Sequence, residues 1–251
     1  MAAATGGAMM VDIDRLSSVF QGPFARFGAA LAVTPMADDI PVTAYLSIEA
    51  IAVHLDGFGQ RYPAGSDRRA VASLWSKTYL RGLIPAPMIA LVGGVPLDLS
   101  PDRGALRADA SAVVLGAASG GEAALAGLYA HLDLLAQALK GSTRLAPRVV
   151  WSNAANLLTA TLERLEAVAP PATALRETLL ETAKRPDGSA NPLFHQIRWI
   201  APGVAGLPEK VRQRRVCCVR DLIAGQSLCS TCPKMTVDLW LERVQTDAVK
   251  A

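Results

Sequence analysis

Aromatic residues make up only 5% of the 251 residues, and charged residues only 19%. So few aromatics leave Ala, Leu, Val and Ile to build the core, which favours helices packed closely through small side chains. The low charge sits beside a hydrophobic content of 51%, a balance that excludes a disordered chain. A formal net charge of +3 gives no basis for a nucleic-acid-binding protein. No Lys or Arg precedes Arg15, and no continuous apolar core with a cleavage site follows, so the first residues do not read as a secretory leader. Long apolar runs are missing too. The longest, Leu83 to Val95, carries two prolines and two adjacent glycines and falls short of the roughly 20 residues a membrane span requires. The mean hydropathy of +0.27 is therefore assigned to packed helices. The expectation is a cytoplasmic protein with no transmembrane segment, leaving room only for peripheral association with an inner membrane.

What is present is mostly helical pattern. The spacing predicts a broken helix from Val11 to Val33, interrupted at Gly22-Pro23, and a second from Pro41 to His54 that stops at Asp56-Gly57. Ser66 is the expected N-cap of a third. Leu125, Leu128, Leu132, Leu135 and Leu139 follow a 3-4-3-4 rhythm that marks a fourth, ending before Gly141. Two more are expected over Arg148–Val168 and Thr173–Lys184. One hairpin is expected, pairing Val95–Leu99 with Ala105–Asp109 across the turn SPDRG. Beyond Pro192 the helix signals fade while Cys and Arg accumulate. The fold class is mainly α, an α+β protein with a minor hairpin. Residues 1–195 form a helical domain and 196–251 a short cysteine-rich segment.

The four cysteines are absent from the first 216 residues and spell Cys-Cys-x10-Cys-x2-Cys at Cys217, Cys218, Cys229 and Cys232. Confined to so short a stretch, four thiolates can meet at one centre without help from the rest of the chain. In a reducing compartment such a cluster reads as metal ligands rather than disulfides. Soft thiolates select zinc, cuprous copper or iron–sulfur clusters. The adjacent pair is unlike a zinc ribbon, whose halves are spaced Cys-x2–4-Cys. Neighbouring side chains of an extended chain point to opposite faces, so Cys217 and Cys218 must lie in a bend or ligate different irons of one cluster. Gly225 is the candidate for reversing the chain between the pairs. Spacing alone leaves an iron–sulfur centre, structural zinc and a redox dithiol all open.

The run RRVCCVRDLIAGQSLCSTCPK, Arg214 to Lys234, resembles the C-terminal signature of FhuF-type ferric siderophore reductases. Three further segments are similar to that family: ASLWSKTYLRGLIPAPMIA (72–90), WSNAANLL (151–158) and NPLFHQIRWI (191–200). The resemblance implies a 2Fe-2S cluster on the four cysteines. It also implies one-electron reduction of a ferric siderophore, of hydroxamate type by family analogy, with release of ferrous iron. No flavin or nicotinamide motif is readable, so electrons are expected from a donor protein such as a ferredoxin or a flavodoxin-like reductase system. Two rival functions stay in view. One is an iron–sulfur electron-transfer protein with another acceptor; the other is a non-enzymatic siderophore-binding domain with a four-cysteine zinc site.

Arg212, Arg214, Arg215 and Arg220 crowd the first cysteine pair and are candidate docking residues for an anionic chelate or an acidic donor. His195 is the one histidine placed near a substrate; His54 and His131 fall inside helical patterns and read as structural. Trp75 and Tyr79, four apart, read as core anchors. No catalytic residue beyond the cluster ligands is expected.

Overall fold

The computed structural model describes residues 10–249, with side chains to residue 246; the leader reading of the extreme N-terminus falls largely on residues 1–9, outside the described residues. The N-terminal stretch splits as its glycine and proline demand, into α1 (Ile13–Val19), a 3-10 turn at Gly22–Phe24 and α2 (Ala25–Gly28). Asp12 caps α1 by accepting the Arg15 backbone N–H at 3.0 Å. β1 (Leu31–Ala32) and β2 (Ile40–Pro41) follow.

The expected second helix is in fact two, α3 (Val42–Tyr45) and α4 (Ile48–Gly59). Ser47 breaks the run because its Oγ caps the new helix, accepting from the Ala50 N–H at 3.1 Å. At α5 (Arg68–Leu83) the cap is Asp67 rather than Ser66. The Asp67 carboxylate accepts from the Arg69 N–H, whereas the Ser66 hydroxyl donates back to the Pro63 carbonyl. α6 (Pro85–Val92) holds most of the longest apolar run, and six of its eight residues are buried. No helix among the described residues is long and apolar enough to cross a membrane.

The hairpin forms with a different partner. β3 (Ala105–Leu106) pairs antiparallel with β4 (Val113–Val114) and with β2, and β1 joins β4 in parallel, giving the order β1-β4-β3-β2. The 95–99 segment contributes only the bridge Leu97↔Ala117. Its polar groups are engaged elsewhere: the Asp98 carboxylate accepts from the Ser100 N–H and pairs with Arg103.

α7 (Gly121–Thr143) and α8 (Pro147–Glu166) form the centre of the molecule. All five leucines of the predicted stripe on α7 are buried. The helix runs through Gly141 and ends only at Arg144, which takes the left-handed conformation. Gly141 marks close packing instead of a stop, since a Cβ there would lie 2.8 Å from the Ile48 side chain of α4. α9 (Pro171–Arg176) continues into a π turn over Glu177–Glu181, short of the expected Lys184.

Beyond residue 195 regular structure returns, contrary to the fading signals. β5 (Ile197–Ile200) pairs antiparallel with β6 (Val211–Arg214), and α10 (Val237–Val249) closes the chain. One apolar core joins α3 to α9, with Ile223 of the C-terminal segment inserted into it. A second, small core gathers Cys232, Met235 and Trp240 with Ile200, Leu207 and Val211 packed around them. The cysteine segment thus has its own apolar footing on the β5–β6 hairpin and α10.

Candidate metal centre

The four cysteines follow directly from β6. Gln213 is buried there, and its side-chain amide donates to the carbonyls of Cys232 and Met235, both at 3.1 Å. The Arg214 N–H donates to the Thr231 carbonyl at 2.8 Å, bringing the second cysteine pair beside the first. Cys229-Ser-Thr-Cys232 is a tight turn closed by the Cys232 N–H on the Cys229 carbonyl. Val219, immediately after the vicinal cysteines, has φ of 51°. A β-branched residue in the left-handed region is strained, and its N–H donates to the Cys217 sulfur at 3.3 Å. The bend demanded by adjacent cysteines is made there, and Gly225, at φ 77°, makes the second reversal.

The sulfurs fall into two pairs. Cys217 Sγ lies 4.0 Å from Cys232 Sγ, and Cys218 Sγ lies 3.7 Å from Cys229 Sγ. Two thiolates on one tetrahedral metal, each about 2.3 Å from it, sit about 3.8 Å apart. Each pair therefore has the span of one metal, and the vicinal residues Cys217 and Cys218 belong to opposite pairs. Among the described residues no group of three or more His, Cys, Asp or Glu is gathered to hold a single ion. Two pairs of two is the donor set of a two-iron cluster rather than of one four-thiolate zinc. All four cysteines are free thiols.

Buried cations gather at one of the two sulfur pairs, Cys218 and Cys229. Arg214 is only 1% exposed; one of its nitrogens donates to Cys229 Sγ at 3.3 Å and another to the Asn153 side-chain oxygen at 2.5 Å. Lys77, on α5, hydrogen-bonds Cys218. The hydrogen bond that Cys218 shares with Cys229, opposed by burial and helped by Arg214 and Lys77, holds the Cys218 thiol far below its usual range. Burial pushes Cys217 up to about 11. The Lys234 N–H points at Cys232 Sγ from 3.5 Å, so backbone donors serve one sulfur of each cysteine motif. Cys217 also faces Asp221, whose charge is met by Lys234.

A cleft of about 430 Å³ opens onto this centre and has Cys229, Ser230 and Thr231 in its wall. Its basic lining includes Arg61, Lys77, Arg81, Arg212, Arg214 and Arg220, together with Arg243, and it contains no carboxylate. A second cleft, of about 530 Å³, lies against the same helix, α8, but reaches no cysteine. His195 and Arg215 line that second cleft, so the structure divides the expected docking group: Arg212, Arg214 and Arg220 stand at the cysteines, His195 and Arg215 apart from them. His195 is exposed, at φ 49°, and stacks on Phe194 at 3.9 Å.

Sequence reasoning missed Lys77, Arg81, Asn153 and Asn156, which complete the first cleft. The signal was there, because the family-like segments 72–90 and 151–158 contain all four. Buried Asn153 is the hub that joins them: its amide donates to the Ser73 carbonyl, Ser73 Oγ and Ser76 Oγ on α5 while its oxygen receives Arg214. His131 is structural as expected, with the Leu99 carbonyl accepting from Nδ1 at 3.0 Å and Tyr79 donating to Nε2 at 2.7 Å. His54 stacks on Tyr45 at 4.1 Å, and its buried Nε2 has no partner. Trp75 and Tyr79 stack on each other at 5.4 Å within the core side of α5.

No curated protein matches the chain. Residues 214–234 match the family model described as FhuF 2Fe-2S C-terminal domain, and all four cysteines lie inside that match. The residues present fit the group that the description names: four thiolates in two metal-sized pairs, backed by buried cations. Residues 214–234 are thus similar to the 2Fe-2S-binding C-terminal domain of the FhuF type, and Cys217, Cys218, Cys229 and Cys232 are the residues placed to hold that cluster.

Proposed function

We propose that the protein is a cytoplasmic ferric siderophore reductase. It delivers one electron to siderophore-bound ferric iron and lets the ferrous ion leave. The observation that carries this reading is the cleft whose wall includes Cys229, in a segment matching the FhuF 2Fe-2S C-terminal domain. When bound, a two-iron cluster supplies a one-electron reductant, with all-cysteinate plant-type examples near about −400 mV. Strength is what the substrate demands, because each tenfold preference of the chelator for ferric over ferrous iron lowers the complex's potential by about 59 mV.

The chain's own residues do the rest. The Cys229–Cys232 turn exposes Cys229 to the cleft, so a chelate seated there contacts one ligand sulfur, while Cys218 and Cys232 stay buried away from water. Arg214 and Lys77 hold positive charge against the sulfurs and so favour the reduced, more anionic state. Ferrous iron, poorly held by hard oxygen donors, then dissociates. Electrons arrive from a reduced ferredoxin or a flavodoxin-like reductase system.

The test is anaerobic. The as-purified protein is reduced with dithionite, freed of excess reductant and mixed with a panel of ferric siderophores beside a ferrous-specific chelator. Reoxidation with one trapped ferrous ion per electron is expected. A reduced centre that no ferric siderophore reoxidises would leave an electron carrier with another acceptor and sink the proposal.

A further inference from the structure

Three buried guanidinium Nε atoms, of Arg212, Arg214 and Arg220, have no hydrogen-bond partner, and neither does the buried Asn156 side-chain oxygen. All four residues line the cleft at Cys229. Those Nε atoms are themselves closed off from the cleft, so its claim on a ligand rests on the net charge of the guanidinium and ammonium groups that line it.

The charge of the cleft says which ligand. Lys77 and Arg214 face the sulfurs, and Arg212 is tied to Glu163 at 3.1 Å. Arg220 meets only the neutral Gln226, at 2.7 Å. Arg61 lies over the Phe58 ring at 4.7 Å, and Arg81 has no ion-pair partner among the described residues. Three cations thus remain beyond those the sulfurs and Glu163 answer, in a lining without a single carboxylate. A neutral or cationic chelate would leave them unanswered.

We propose that this cleft binds a net-negative ferric chelate, one built from catecholate or carboxylate oxygens, in preference to a neutral trihydroxamate. This rests on the siderophore reading of the same site and replaces the hydroxamate expectation. A volume of about 430 Å³ suits a compact small-molecule chelate and is too small to receive a protein surface. The guanidinium groups offer paired N–H donors matched to anionic oxygens.

Gallium(III) separates binding from reduction, since it occupies the same chelators without accepting the electron. Calorimetric titration of the oxidised, cluster-loaded protein would compare a hexadentate gallium tris-catecholate trianion with a hexadentate neutral gallium trihydroxamate. The trianion is expected to bind about tenfold tighter at low salt, with the gap closing as salt screens the cleft. An Arg61→Gln/Arg81→Gln double variant, on the exposed rim, should weaken the trianion about fivefold and leave the neutral chelate unchanged. Equal affinity of the two chelates, or a preference untouched by salt, would overturn the proposal. So would variants that slow electron uptake from an acidic donor protein while binding the trianion normally. The iron forms keep the two readings apart. Trianions that bind preferentially yet never reoxidise the reduced protein defeat the reductase reading alone, whereas reduction that ignores chelate charge defeats only this one.

Discussion

Two clefts flank α8, and they differ in charge rather than in size. The cleft around His195 sets Glu163, Glu166 and Glu181 against Arg176, Arg198 and Arg215. Arg176 there pairs with both Glu166 and Glu181, while Arg198 donates only to the neutral Gln213, at 2.8 Å. The cleft at Cys229 has a comparable volume and no acid at all. Size alone would not tell them apart. What separates them is whether carboxylates stand among the cations, and whether a thiolate is in the wall. A basic residue near a metal centre is informative only once its counter-ions are known.

The sharpest break comes from the cysteines. Replacing any one by Ser should abolish or bleach the red-brown chromophore, read by visible absorption. Any variants that retain a centre should divide by iron: Cys218→Ser and Cys229→Ser share one Mössbauer signature, Cys217→Ser and Cys232→Ser another. A signature common to Cys217 and Cys218 variants would disprove the pairing drawn from the sulfur distances.

A control lies away from both clefts. Burial depresses His131 to about 4, against an ordinary value of 6.5. Its neutral form is the folded one, so its stabilisation is complete above about pH 6.5 and is lost as pH falls towards 4. The loss is about 3 kcal/mol, and a His131→Gln variant should show a flatter fall of denaturation midpoint over that window. Next in size is Asn153→Leu, which strips Arg214 and two serines of a buried partner. A cost of about 2 kcal/mol is expected, lowering Tm by about 4–8 °C.

Arg214→Met tests the electrostatics of the cysteine cleft. Removing a cation that favours the reduced state should lower the midpoint potential by about 60 mV, a tenfold change for one electron. An unchanged potential in protein that still holds its cluster would detach Arg214 from redox tuning. The smallest effect is expected on the far side. Trp199, 51% exposed in the charge-balanced cleft, should tolerate Trp199→Ala with chelate affinity altered less than about twofold, by the measure of an exposed substitution. A large loss there would move the binding site to the wrong side of α8.

The helical body was legible because its signals are periodic and local. The α7 leucines and the Gly22-Pro23 break each act over one or two turns of chain. The misreadings came where a single polar side chain chose between equivalent neighbours, as Asp67 over Ser66, or where close packing imitated a stop, as at Gly141. Two-residue strands such as β3 and β4 are too short to show a period, so their partner could not be read.

The sequence by itself determined which four thiolates meet, because four within sixteen residues need only local bends to converge, while their spacing left iron–sulfur, zinc and a dithiol open. It could not divide the arginines. Arg214 and Arg215 are adjacent, and strand alternation sends one inward to Cys229 and the other to the opposite cleft. Nor could it bring Lys77 and Asn153 to the cysteines, which lie far downstream of both. Those contacts exist only because α5 packs against α8 and the β5–β6 hairpin closes over them. Chain order fixed the cluster ligands; long-range packing decided which charges they meet.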